Sequence, residues 1–348
     1  MSTVPTVSVV IPTYNRLLRL QQVLAALSAQ TYDHRRFEVV VVSDGSDDGT
    51  AEYLAGATTS FDLVSACQAN AGPAAARNHG VELARGSLVL FLDDDVMAVP
   101  DLIAQHVRTQ QRGTDDTVVI GPMLTPPDVR LSAWIEWEQA MLYKQYDALA
   151  RGAYAPTYRQ FYTGNASTRR STILAIGGFD VRYRRAEDVE LAYRLSEAGA
   201  RFVFDAKAIG YHHADRSFQS WLQNARDYGT NEVTFASEHV KSGRLESTRD
   251  EFLSRHPLVR TMTRSCVARP WLLQMVEREL GWVALMSDKV GAQRLTGHSL
   301  SGLYNLAYYS ALADALGGPR SFLRLMGAAP GLPFGPQARS GSAVVEGH

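Results

Sequence analysis

Two cysteines in 348 residues, Cys67 and Cys266, are too few for a disulfide framework or a cysteine-rich zinc site. That scarcity suits a reducing compartment, and the chain reads as cytoplasmic. Neither sign of charge is in excess: 35 Lys and Arg stand against 36 Asp and Glu, a formal net charge of -1. The balance excludes a broadly basic nucleic-acid binder, and no nucleic acid is expected as a partner. No run approaches the ~20 uninterrupted apolar residues of a membrane span. The first residues lack the positive run of a signal peptide, and Pro12 breaks the apolar stretch that follows. Gly-x-Gly-x-x-Gly and Gly-x-x-x-x-Gly-Lys are both missing, so neither a dinucleotide fold nor a P-loop is supported. No persuasive Ser-His or Cys-His pairing is present for nucleophilic catalysis.

What remains is an ordinary globular balance, 45% hydrophobic and 20% charged. The first half alternates strand and helix. Val7 to Ile11 is a β-branched strand ended by Pro12, and Leu17, Leu20, Leu24 and Leu27 recur at helical spacing. Strands are expected at Phe37 to Val42, Phe61 to Ala66 and Leu88 to Leu92, with a helix opened by Pro73 and closed by Gly86. This alternation implies a mainly parallel sheet that gathers its ligands at the carboxyl ends of the strands. Further strands are expected at Val118 to Gly121, Phe161 to Ser167 and Arg201 to Phe204, and helices at Leu131 to Ala150 and around Leu191 to Ala198. After His213 the pattern is helical, with apolar helices at Trp271 to Met286 and Ser299 to Leu316. The organisation is therefore an α/β domain over 1–215, a helical extension over 216–329, and a Gly-, Pro- and Ser-rich tail over 330–348 expected to be disordered.

Polar constellations punctuate the strand ends. Asp93-Asp94-Asp95 sets three carboxylates together, costly unless a cation neutralises them, and hard oxygen ligands suit Mg²⁺ or Mn²⁺. If the strand continues, Asp93 and Asp95 point to one side; the plain alternative is a solvated acidic turn. Asp44 precedes Gly45, a common turn pair, and its carboxylate could also accept from a base or a ribose. Asn70 to Asn78 opens a helix with small residues, where Arg77 could reach a diphosphate or simply lie on the surface. Glu187-Asp188 starts another helix, where acids are common for reasons of the helix dipole and where one could also serve as a general base. Of His212 and His213, adjacent on an extended strand, at most one can join a carboxylate on a metal.

The order of these pieces resembles the family-2 glycosyltransferases of the A-type (GT-A) nucleotide-sugar fold. The matching residues are Val9-Val-Ile-Pro-Thr-Tyr-Asn-Arg16, Val41-Val-Ser-Asp-Gly-Ser46 with Asp48-Gly-Thr50, and Asn70-Ala-Gly72 with Ala76-Arg77-Asn78. Phe91-Leu-Asp-Asp-Asp95, Gly177-Gly-Phe-Asp180 and Glu187-Asp188-x-Glu190-Leu191 complete a combination spanning roughly 5–215. The resemblance implies a GT-A nucleotide-sugar-binding domain and an inverting transfer of sugar from a nucleotide-diphosphate donor to an acceptor hydroxyl, one transfer per encounter. Polysaccharide, glycolipid and secondary-metabolite glycosylation all fall in its range. It implies that Pro12, Thr13, Tyr14 and Arg16 cradle the nucleoside, and that Asp44 reads the base. It puts Asn70, Gly72 and Arg77 near the nucleotide, with Asp93 and Asp94 on the donor. Gly164 and Asn165 would line the donor sugar, a looser match. A divalent metal, Mn²⁺ or Mg²⁺, would sit on Asp95 and Asp93 with His212 or His213, and Asp188, beside Glu187, would be the general base.

Two departures refine the expectation. Ser43 stands where many members have a first acid before the base-binding Gly-Ser, which leaves the base preference open. Gln223-Asn-Ala-Arg226-Asp227 has Asp where processive polymer synthases of the family have Trp. Trp271, Leu272, Met275, Val276, Trp282, Val283 and Met286 are too apolar for a free surface. They are expected to pack on the catalytic domain or on a second subunit as a homo-oligomer. The sharper reading is a peripheral contact with the inner face of a membrane that presents a lipid-linked acceptor. Two rivals remain: a non-catalytic nucleotide-sugar-binding protein, against which the intact Asp93, Asp95 and Asp188 argue, and a nucleotidyltransferase, for which Pro12 to Arg16 is a poor triphosphate loop.

Overall fold

The computed structural model describes residues 6–183 and 185–327, so the 330–348 tail lies outside the described residues. The chain divides into two compact units, the first ending at Arg216 and the second beginning at Ser217.

The first unit carries strands β1 (Val7–Thr13), β2 (Phe37–Asp44), β3 (Asp62–Gln68), β4 (Leu88–Leu92), β5 (Val96–Ala98), β6 (Thr117–Ile120), β7 (Met123–Leu124), β8 (Asn165–Arg169), β9 (Arg201–Phe204) and β10 (Gly210–His212). Its helices are α1 (Leu17–Ser28), α2 (Thr50–Gly56), α3 (Pro73–Leu83), α4 (Leu102–Arg112), α5 (Ala133–Ala150), α6 (Arg170–Ala175) and α7 (Glu187–Glu197). Seven strands form one sheet in the order β3-β2-β1-β4-β8-β6-β9, and β5-β10-β7 form a small second one. The large sheet is parallel except at β8, which runs antiparallel to β4 and β6.

Both faces of the large sheet are covered, which is why its strands read as continuous apolar runs. Alternate residues feed opposite cores. Val9, Ile11, Val39, Val41 and Leu90 pack with Leu20, Val23, Leu24 and Leu27 of α1. Val10, Val40, Val89 and Phe91 pack with Ala74 and Val81 of α3 and Leu191 and Leu195 of α7. Each Val, Leu, Ile or Phe among them contributes roughly 1.5–3 kcal/mol on burial. Helix α3 can approach β1 only because residue 80 is Gly: a Cβ there would collide with the Val10 side chain.

Three local expectations are corrected. β1 continues through Pro12 to Thr13. The β4 ladder stops at Val10–Phe91, so beyond it the missing Pro12 N–H leaves no ladder bond unmade on that side. β8 starts at Asn165 rather than at Phe161. Asp93 to Asp95 do not extend β4; they form the turn into β5, closed by Val96 N–H donating to Asp93 O at 3.1 Å. Strand alternation therefore does not govern where those carboxylates point.

The second unit is helical throughout its described residues: α8 (Phe218–Glu238), α9 (Arg244–Ser254), α10 (Pro257–Val267), α11 (Pro270–Lys289), α12 (Gln293–Ala315) and α13 (Pro319–Gly327). Phe252, Tyr309, Leu312, Phe322, Leu325 and Met326 form its core. Gly229 lets α8 touch the α12 backbone at Tyr308, where any side chain would clash. No helix among the described residues is long and apolar enough to cross a membrane. On α11 only Gly281, Ala284 and Ser287 are buried, whereas Trp271 and Trp282 are 65% and 59% exposed. Within the described second unit Trp271, Met275, Trp282 and Met286 are therefore not buried, because the helix packs there through its small residues.

Candidate active site

The carboxyl ends of β1, β2 and β4 bring three loops together, as a parallel sheet dictates. After β1, Asn15 takes a left-handed conformation (φ 53°) that lets it bridge to the loop after β2. Its N–H donates to Ser46 Oγ at 3.0 Å, and its Oδ1 accepts from Asp47 N–H at 2.9 Å. Asp48 accepts from Leu17 N–H at 2.8 Å and so caps α1. Tyr14, 51% exposed, projects from the same loop.

Asp44 ends β2 and is buried. Its carboxylate accepts from Gln68 Nε2 (2.8 Å), Ala71 N–H (2.9 Å) and Gly72 N–H (2.8 Å), while its carbonyl accepts from Asn70 Nδ2 (3.0 Å). One side chain thus shapes the loop leading into α3. Gly45 is tied to this arrangement: at φ +81° a Cβ there would lie 2.8 Å from Asn70 N.

The acidic turn joins two networks. Thr13 Oγ1 donates to Asp94 Oδ2 at 2.7 Å, and one Arg16 nitrogen reaches Asp94 Oδ1 (3.2 Å) and Asp95 Oδ2 (2.5 Å). Burial, opposed by Arg16 and Thr13, pushes the Asp94 carboxyl up to about 6. For Asp95, burial is outweighed by His212 and Arg16, which hold its carboxyl down at about 2. Asp93 belongs to the second network. Buried Arg77 donates to Asp93 Oδ1 and to Glu187 Oε1, both at 2.8 Å. The Arg77 Nε is buried without a partner among the described residues. Gly164 backs this point, since a Cβ there would meet Asp93 Oδ2 at 2.9 Å and Met123 Sδ at 2.5 Å.

Glu187 and Asp188 open α7 behind Ala186, which holds a left-handed φ of 59°. A non-glycine residue there costs of order 1–3 kcal/mol, a strain that persists only where the surroundings enforce it. Burial and the neighbouring Glu187 push the Asp188 carboxyl up to about 7, against the pull of Arg77. A carboxyl poised there is matched to proton transfer near neutral pH.

β10 pairs with β5, His212 opposite Val96, and this carries His212 Nε2 to 3.6 Å from Asp95 Oδ1. That oxygen and nitrogen stand about as far apart as neighbouring ligands on one small divalent ion, ~3 Å. The carboxylate suits Mg²⁺ or Mn²⁺, and an imidazole beside it favours a first-row transition ion over Mg²⁺. Arg16, its side chain half exposed, occupies the other Asp95 oxygen. Asp95 and His212 therefore fit a metal, although no group of three or more His, Cys, Asp or Glu is assembled for one among the described residues. Asp93, expected beside Asp95, is instead turned to Arg77.

Two other expected residues stand apart. His213 Nδ1 accepts from Arg19 at 3.1 Å instead of facing Asp95. Asn165 is fully buried: its Nδ2 donates to Pro122 O and Ala208 O, and its Oδ1 meets His106 Nε2 at 2.9 Å. Its amide braces β6, β8 and α4 rather than lining an open site. Gln68 and Arg19 enter the site unannounced by any chemistry-bearing motif. Asn15 and Asp48 lay inside the matched segments, yet their roles are loop contacts that spacing does not encode.

The sequence model of "Glycosyl transferase family 2" matches residues 8–184, half of the chain. Over 67% of the chain and 74% of the other protein, it is 29% identical to glycosyltransferase AglE of Haloferax volcanii. It is 31% identical to validoxylamine A glucosyltransferase of Streptomyces hygroscopicus subsp. jinggangensis over 74% of the chain. The chain spans 62% of that relative's length and 64% of that of YfnE of Bacillus subtilis. Among solved structures, a mannosyltransferase from Pyrobaculum calidifontis in complex with GDP-Man and Mn²⁺ superposes with a TM-score of 0.58 at 19% identity, covering 88% of this chain and 87% of that one. TarS of S. aureus gives 0.54 at 17%, covering 87% and 55%. At these identities the likeness is one of fold, that of the GT-A glycosyltransferases.

Proposed function

The chain belongs to glycosyl transferase family 2, a glycosyltransferase that uses nucleotide sugars, and we propose that it is an inverting, metal-dependent enzyme making one transfer per encounter to an acceptor hydroxyl. The observation that carries this reading is Arg77, which ties the acidic turn after β4 to the acid pair opening α7. Donor-side carboxylates and a raised acid are thereby held in one fixed frame.

In this reading Thr13, Tyr14, Asp44 and the 70–72 loop receive the nucleoside, and Asp95 with His212 would hold the metal. A divalent cation there, when bound, neutralises charge on the departing diphosphate. Asp188, ionised, takes the acceptor hydroxyl proton as that oxygen attacks the anomeric carbon from the face opposite the nucleotide. The new glycosidic bond forms as the bond to the diphosphate breaks, so one displacement inverts the centre and needs no enzyme nucleophile. Glu187 stays paired with Arg77 and holds the negative charge that keeps Asp188 basic.

Thermal shift with UDP, GDP, TDP and CDP, each with and without Mn²⁺, tests the reading. One base should stabilise the protein in a metal-dependent manner, and Asp95→Ala should abolish the shift. No shift with any nucleotide, alone or with candidate acceptors present, would overturn it.

A further inference from the structure

Helix α11 presents an apolar stripe that no other described residue of the second unit covers. Trp271, Met275, Trp282 and Met286 are 65%, 43%, 59% and 39% exposed. They recur at steps of four, seven and four, which on a 3.6-residue helix is one face. The two tryptophans alone expose roughly 300 Å². With both methionines and Leu285, the patch reaches the upper size seen on monomeric proteins, roughly 300–600 Å², where a function is common. Beside it, Phe218, Leu222, Gly281, Trp282 and Leu285 line an open groove of about 470 Å³.

The spacing along this face, four, seven and four, is the same in both directions, while the residues at equal distance from its centre differ in type. Arg278 and Glu279 sit at its centre, both exposed and paired to each other at 3.1 Å. A two-fold axis between them sets an antiparallel copy of α11 so that Arg278 faces the partner's Glu279. The same axis sets Met275 opposite the partner's Trp282, and Trp271 opposite the partner's Met286. Each pairing occurs twice, as a closed two-fold contact requires. Two kinds of contact recur in it, sulfur on an aromatic ring and opposite charges at the centre, and both are favourable. A lipid surface needs no such self-complementarity and gains nothing from an acid in the middle of the face. We infer that α11 is the interface of a homodimer, a second copy of this chain packing antiparallel across Arg278 and Glu279. The inference is independent of the reaction assigned to the first unit.

Sedimentation equilibrium of the full chain over a range of concentrations tests it. The wild type should be dimeric at micromolar concentration. Trp271→Glu/Trp282→Glu should be monomeric, with an unchanged circular dichroism spectrum because both positions are exposed. Charge exchange probes the register. Arg278→Glu and Glu279→Arg should each raise the dimer dissociation constant at least ~10-fold, since like charges then meet at the axis. Mixed together, these two variants should form a heterodimer in preference to either homodimer, because every central pair is again opposite in sign. A monomeric wild type at 100-fold higher concentration, or single variants that do not recover on mixing, would overturn the inference. So would a monomer that floats with phosphatidylcholine–phosphatidylglycerol vesicles and loses that binding in the double tryptophan variant.

Discussion

The guanidinium of Arg77 donates to Glu187 Oε1 at 2.8 Å, across 110 positions of sequence, and its other arm reaches Asp93 at the same distance. Arg77 is buried, and so is Glu187. Taking either charge out of water alone is expensive, so each tolerates burial because of the other. Arg77→Ala should therefore destabilise the first unit by about 3–5 kcal/mol, a fall of roughly 10 °C in Tm for a unit of this size. Arg77→Lys keeps the charge but not the fork, and should recover part of the Tm while leaving activity low. Paired thermal melts and initial rates separate the two outcomes.

Asp188 sets the pH dependence. Its carboxyl is pushed up to about 7 by burial and by Glu187, and it must be ionised to accept a proton. kcat/KM should then rise about tenfold per unit below pH 7 and level off above it. Asp188→Asn should lower kcat by ~10²–10⁴ with little change in nucleotide binding. The same shift bears on folding. A carboxyl whose folded pKa lies above its unfolded value favours the fold below about pH 4, and loses that contribution as pH rises through about 7. At pH 8 the wild type bears a partly buried charge that the Asn variant lacks. Asp188→Asn should melt higher than wild type at pH 8, and the difference should shrink towards pH 5. A variant less stable at pH 8 would count against the raised pKa.

Much of this site was legible in the sequence because it stands at the ends of apolar strands. Val7 to Ile11, Phe37 to Val42 and Leu88 to Leu92 announce a sheet buried on both faces, and parallel topology then gathers their trailing polar residues at one edge. What spacing could not encode is which partner each carboxylate takes. Asp93 and Asp95 are equivalent in Asp93-Asp94-Asp95 only if the strand continues. A turn there sends Asp93 to Arg77 and Asp95 to His212 and Arg16. His212 and His213 separate for a similar reason: the β5 ladder faces one towards Asp95 and leaves the other to Arg19. Three-residue strands such as β5 and β10 are too short to show a period, so the small sheet was invisible in advance.

Asp44 fixes the loop before α3 through three donors, and its removal should loosen that loop rather than the sheet. Asp44→Ala leaves Ala71 and Gly72 N–H without their acceptor, at about 1–3 kcal/mol for each that stays buried. Water can reach part of this loop, so the loss of Tm should be modest. Nucleotide affinity should fall at least tenfold, and amide hydrogen exchange should rise across 68–72 with β1 and β2 unchanged. Faster exchange throughout both strands would mean that Asp44 supports the sheet instead.

Asn165 offers the opposite case, a matched position whose amide is already committed. Its Nδ2 supports Pro122 O and Ala208 O, and His106 bridges its Oδ1 to Ser167. Burial pushes His106 down to about 4, so the ring is neutral at pH 7 and needs Asn165 as an acceptor for Nε2–H. Asn165→Ala strands Ala208 O and the His106 Nε2–H, at about 1–3 kcal/mol each, while Pro122 O keeps the Gly210 N–H. A loss of several degrees in Tm is expected, with donor KM little changed in the protein that remains folded. A normal Tm with a raised donor KM would return Asn165 to the sugar pocket.

His212 and Asp95 make the strongest demand on the metal reading. Only His212 of the two adjacent histidines approaches an Asp95 oxygen, at 3.6 Å, while Arg19 occupies His213. Losing one ligand should weaken a site that holds few, so His212→Ala should lower Mn²⁺ affinity at least tenfold. His213→Ala should leave it within about twofold. Electron paramagnetic resonance counts free Mn²⁺ directly and needs no turnover, so the result does not depend on knowing the acceptor. Arg16 gives the complementary test. Its guanidinium lies 2.5 Å from Asp95 Oδ2 and supplies positive charge to the same carboxylate. Arg16→Gln removes that competitor and should raise Mn²⁺ affinity in the absence of nucleotide. A site that ignores His212 and Arg16 alike would place the metal elsewhere, and the pairing of Asp95 with His212 would then be only a structural contact between β10 and the acidic turn.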